Sequence, residues 1–130
     1  MTAARLVRVD RLLRALARLM AAERRRIEAL EQERTGLEAA EQAARAAYDR
    51  CGALTDVAAT GLTRLLQRLW NERARVESAW AAAAARLARL EVTERRLRLK
   101  RRMLAEQAAR KAMEQEVAEW VGQRRFSAQG

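Results

Sequence analysis

A chain of 130 residues with 34% charged and only 4% aromatic residues lacks the large side chains of an ordinary globular core. Its net charge of +10 points toward acidic partners, while the absence of histidine removes the commonest general base and metal ligand. Cys51, the lone cysteine, excludes an internal disulfide, and no apolar run approaches the ~20 residues of a membrane span.

The first 22 residues are Arg-rich with a single acid, Asp10, as a targeting helix would be. Their apolar spacing runs on unbroken through Met20 to Ile27 and Leu30, so they read as structural. From Leu6 the 3,4 spacing picks out Val9, Leu13, Leu16, Met20, Glu23, Ile27, Leu30, Arg34, Leu37, Glu41, Ala44, Tyr48 and Cys51. That sustained phase predicts one side of a coiled coil over about residues 3–51. Asp10 with Arg14 and Glu41 with Arg45 add i,i+4 support.

Two glycines, Gly52 and Gly61, flank Thr55, Asp56 and Thr60, which is cap chemistry on both sides of a reversal. With no proline elsewhere, residues 52–61 are the predicted turn. Cys51 beside it reads as a small buried hydrophobe rather than a reactive thiol.

The same spacing resumes at Leu62 and continues through Leu66, Leu69, Arg73, Val76, Trp80, Ala83, Leu87, Leu90, Glu94, Leu97, Arg101, Leu104 and Ala108. Glu91, Glu94 and Glu106 each precede an arginine by four residues. Beyond Ala108 the phase slips to Ala109, Ala112, Met113, Val117, Trp120 and Val121. Gly122 reads as a stop, leaving 122–130 as a frayed tail. The predicted fold is therefore all-α: a long antiparallel two-helix coiled-coil hairpin, with helix two over about 62–121.

Register follows from charge. Pairing residues whose numbers sum to 117 sets Glu23 against Glu94. Pairing to 110 sets Glu23 by Leu87, Leu30 by Trp80, and lets Glu41 bridge to Arg73. The second is preferred, and it leaves roughly the last 16 residues of helix two without an opposite strand. Tyr48 and Trp80 then fall in the seam. Trp70 and Trp120 fall outside it and need cover, which makes them contact candidates. The buried-position charges Glu23, Arg34, Glu41, Arg73, Glu94 and Arg101 specify register.

Catalysis finds little purchase: no histidine, no nucleophile pair and no glycine-rich phosphate loop. No catalytic, cofactor or metal residues are expected. The densest charge is Arg95, Arg96, Arg98, Lys100, Arg101 and Arg102. On the chosen register it neighbours Arg5, Arg8, Arg11 and Arg14, forming a basic collar suited to an acidic protein surface. Nucleic acid is not expected, since acids are interleaved with the bases and no aromatic residues stand ready to stack.

Two long helices about one turn, a basic start and the late stretch containing Glu114, Gln115, Glu116, Glu119 and Trp120 resemble the stalk proteins of type III export, FliJ in flagella and YscO or SctO in injectisomes. The resemblance implies a rod similar to a rotary-ATPase stalk. Its terminal end would enter the cytoplasmic export-ATPase hexamer through the collar, Met113, Val117 and Trp120. Its turn end, through Tyr48 and Trp70, would reach the export gate at the cytoplasmic face of the inner membrane. Some members also bind secretion chaperones. Arg-for-Lys bias and three tryptophans lean toward an injectisome version. Two other classes stay open: a coiled-coil adaptor or self-associating scaffold, and a basic helical protein on nucleic acid or membrane.

Overall fold

A computed structural model describes residues 1–50 and 56–129 as two helices packed against each other, with no strand among these residues. Helix α1 spans Thr2–Arg50 and α2 spans Asp56–Gln129. Cys51 and the 52–55 part of the predicted turn lie outside the described residues. Ala, Leu, Arg and Glu dominate both helices and are strong helix formers. Threonines within them return their hydroxyls to the backbone one turn earlier, Thr35 Oγ1 donating to the Glu31 carbonyl at 3.0 Å and Thr63 to Ala59 at 2.9 Å. At the end of α1, Arg50 Nε donates to the Ala46 carbonyl at 3.3 Å, adding a side-chain donor and a positive charge to the C-terminal end of the helix.

Three sequence expectations are corrected. Residues 56–61, expected in the turn, are the first turns of α2, and Gly61 is helical. Gly122 does not stop α2, and the expected frayed tail is helix to Gln129. A helical glycine costs only about 1 kcal/mol relative to alanine, which neighbouring good formers offset. Tyr48, expected in the seam, is 48% exposed, and Ala47 is the half-buried residue of that turn instead.

The chain's contacts fall into two units. One comprises Met20–Arg89, the other Met1–Leu19 with Leu90–Gly130. In the first, Met20, Ala44, Val76 and Ala83 form the buried seam together with one acid, Glu41. Three of its cross-helix hydrogen bonds share one register, Trp70 with Glu41, Arg73 with Glu38, and Trp80 with Glu31 each summing to 111, while Arg86 with Glu23 and Arg73 with Glu41 reach to 109 and 114 on either side of it. Constant sums mean antiparallel strands, and they sit one step from the preferred 110. Trp80 is half-buried and donates from Nε1 to Glu31 Oε1 at 3.3 Å.

In the second unit, Val9, Leu16 and Leu104 are buried. Each contributes roughly 1.5–3 kcal/mol by leaving water. Arg101 Nε donates to Asp10 Oδ1 at 2.6 Å, again a pair summing to 111. Asp10 thus bonds across the seam rather than to Arg14 as expected. The last cross-helix contact is Lys111 Nζ to Thr2 Oγ1 at 3.4 Å. Beyond it α2 has no strand opposite, and every residue from 109 to 128 is exposed.

Candidate partner-binding surfaces

Within the Met20–Arg89 unit, polar side chains converge on Glu41. Trp70 Nε1 donates to its Oε1 at 2.9 Å, Arg45 reaches the same oxygen at 2.8 Å, and Arg73 Nη1 donates to Oε2 at 3.2 Å. Arg73 also donates to Glu38 at 3.2 Å and to Glu77 at 3.3 Å, so one guanidinium holds three carboxylates. The Trp70 hydrogen bond, helped by Arg45 and Arg73, holds the Glu41 carboxyl below the usual carboxylate range despite its burial. Arg73 is raised by Glu77 first, then by Glu38 and Glu41. A charge at a seam position is tolerated here because both carboxylate oxygens meet a donor. The expected Glu41–Arg73 bridge is present, and the i,i+4 pair with Arg45 joins it.

Trp70 was expected to seek cover from a partner. Its N–H is instead used within the chain, and Arg45 lies 6.0 Å from its ring centre. The ring remains 46% exposed. Tyr48 is exposed on α1 in the same unit, so both proposed turn-end contacts present surface. A second acid of this unit, Glu23, accepts from Arg86 Nε at 2.9 Å, while its Oε2 is buried without a partner.

In the other unit the collar residues Arg5, Arg8, Arg11 and Arg14 are exposed on α1, and Arg95, Arg96, Arg98, Arg101 and Arg102 are exposed on α2. Two of the nine are engaged: Arg101 with Asp10, and Arg98 with Glu94 at 3.4 Å. The others make no ion pair among the described residues. Arg5, Arg8 and Lys100 rim a groove of about 430 Å³ whose floor is Val9, Leu12 and Leu97. Sequence reasoning missed this groove, because Leu12 stands outside the 3,4 spacing. The register that brings it beside Leu97 was the available signal.

The exposed part of α2 carries Met113, Val117 and Trp120, with Val121 beside them. Trp120 stacks beneath Arg124, whose guanidinium carbon lies 4.6 Å from the ring centre. Leu99 and Met103, both more than half exposed, were not singled out from the sequence. Phe126, at 83% exposed, was also passed over as tail. Among the described residues no group of three or more His, Cys, Asp or Glu is placed to hold a metal, and no helix is long and apolar enough to cross a membrane. No protein-family model, curated protein or solved structure matches this chain.

Proposed function

We propose that this chain is a non-enzymatic central-stalk component of a type III protein export apparatus, flagellar or injectisome. It enters the cytoplasmic export-ATPase hexamer with its terminal end and acts at the cytoplasmic face of the inner membrane. One observation carries the reading: a helix exposed on all sides over 109–128, bearing Met113, Val117 and Trp120, belongs to the same unit as a collar of largely unpaired arginines. A solitary amphipathic helix is marginal in water and gains order against a partner. A ring with an acidic rim and an apolar bore meets both features, the charge steering approach and the stripe supplying packing. The resemblance to the export stalk family supports the same direction, and it assigns Tyr48 and Trp70 to the export gate. The chain's lack of histidine accords with a mechanical rather than catalytic part.

The test is binding and stimulation of the export ATPase by a chain lacking residues 109–130. Loss of both, with helical dichroism of the remainder retained, is the expected result. Replacing Arg95, Arg96, Arg98 and Arg102 with glutamine is expected to slow association and flatten its salt dependence. A truncated chain that binds and stimulates like the full one overturns the assignment of this end.

A further inference from the structure

The exposed apolar residues of α2 are not confined to its unpaired end. Val92, Leu99, Met103, Met113, Val117 and Trp120 are between 38% and 68% exposed, and all belong to one unit. Their spacing fits a single 3,4 repeat in which three polar residues, Arg96, Glu106 and Arg110, complete the missing steps. This second stripe lies roughly 150–170° around α2 from Leu97, Leu104 and Ala108, which face α1. It is a heptad seam without a strand.

We infer that the occupant of this face is the same face of a second copy, packed antiparallel. The argument is charge complementarity in one register. When residue numbers across the interface sum to 216, Leu99 meets Val117 of the other copy and Met103 meets Met113. In that register the two central polar steps meet each other, Glu106 opposite Arg110, twice over by symmetry. Shifting by one heptad in either direction sets Glu106 and Arg110 against apolar residues, leaving buried charges unpaired. Parallel packing sets Glu106 against Glu106 and Arg110 against Arg110.

The flanks agree independently. In an antiparallel pair each flanking row meets the like row of its partner. One row brings Lys100 to Glu114, and the other brings Arg102 to Glu116. Near the two-fold axis the flanking residues are Gln107 and Ala109, which carry no charge to repel their copies. Lys100, Arg102, Glu106, Arg110, Glu114 and Glu116 are all exposed and form no ion pair among the described residues, so none must abandon a partner to form the interface. Arg96 lies across from Trp120, a cation beside a ring, and Val92 at the end of the stripe falls opposite Arg124.

This inference does not rest on the export reading, in which a ring would take Met113, Val117 and Trp120 in place of the second copy, and it is tested with no other protein present. Sedimentation over a concentration series is expected to show a monomer–dimer equilibrium for the full chain. K100E/R102E and E114K/E116K each turn four attractive pairs repulsive and are expected to raise the dimer dissociation constant on the order of 100-fold. An equimolar mixture of the two restores attraction at all four positions, so a heterodimer forms. In a C51S background, A109C is expected to disulfide-bond between copies, whereas M103C alone is not, its two copies lying about 15 Å apart along the axis. M103C mixed with M113C does bond. A chain monomeric at every concentration, a mixture that fails to pair, or M103C bonding as readily as A109C overturns the proposal. The substituted positions on α2 are exposed, and helical dichroism checks that each variant is folded.

Discussion

Met20 supplies the sharpest test of the packing. It is 2% exposed in the α1–α2 seam, while its neighbour Leu19 is 56% exposed. Truncating both side chains to alanine separates burial from helix propensity, because alanine is the better helix former at either position. Met20→Ala removes the whole buried side chain and leaves a cavity. Such changes cost about 2–5 kcal/mol, and a two-helix seam open on both flanks relaxes further than a closed core, so the lower half of that range is expected, ~2–3 kcal/mol. Leu19→Ala should remain within about 0.5 kcal/mol of the parent chain. Urea unfolding followed by helical dichroism reads the difference. With a denaturant slope on the order of 1–2 kcal/mol/M, the Met20 variant shifts its midpoint down by about 1–3 M. Equal shifts for the two variants, or none for Met20→Ala, would refute a seam built on Met20.

Other residues carry their own tests. Leu30→Cys with Trp80→Cys in a Cys51→Ser background should form an intramolecular disulfide, and Leu37→Cys with Trp80→Cys should not; mass spectrometry under oxidising conditions decides. Trp70→Phe removes the leading donor to Glu41, so that carboxyl should titrate at a higher pH, read by carboxyl-carbon NMR. Because the folded-state pKa of Glu41 is depressed, its stabilising effect is present above the ordinary carboxylate value and disappears as pH falls through the folded one. The stability gap between parent and Trp70→Phe should therefore be present at neutral pH and close on acidification. Gly36 is exposed in mid-helix with no atom within 4 Å of an added Cβ, so Gly36→Ala should raise stability by about 1 kcal/mol. A lowered melting temperature for that variant would argue against continuous helix there.

The seam was legible because large apolar residues recur at a fixed spacing, and the register was legible because Glu23 and Glu94 repel. The Glu41–Arg73 bridge followed from that register. What stayed hidden depends on reach rather than spacing. Arg86 and Glu31 lie on the flanks, where long side chains choose among several neighbours, and only the folded chain selects Glu23 for one and Trp80 for the other. Asp10 could serve Arg14 or Arg101, and the cross-helix partner wins at 2.6 Å. Tyr48 failed as a seam residue because Ala47, one position earlier, satisfies the spacing equally well and is small enough to face inward. The bounds of α2 were misread at Gly61 and Gly122 because a glycine weakens a helix without ending it. The second stripe was overlooked because three of its steps are charged, which hides a repeat from any count of apolar residues.

That stripe gives the two faces of α2 separate fates under mutation. Substitutions at Leu97, Leu104 or Ala108 alter packing against α1 and are felt in folding. Substitutions at Leu99, Met103, Met113 or Val117 touch nothing within the chain's own seam, so they are silent in a denaturation curve of the dilute monomer and visible only when another molecule, a second copy included, is bound. A mutational scan scored on the thermal stability of the dilute monomer would therefore pass over every residue of the outer face. Scored on association, the same library would divide α2 lengthwise into an inheritance that cannot drift freely and a surface that can be rewritten while the hairpin endures.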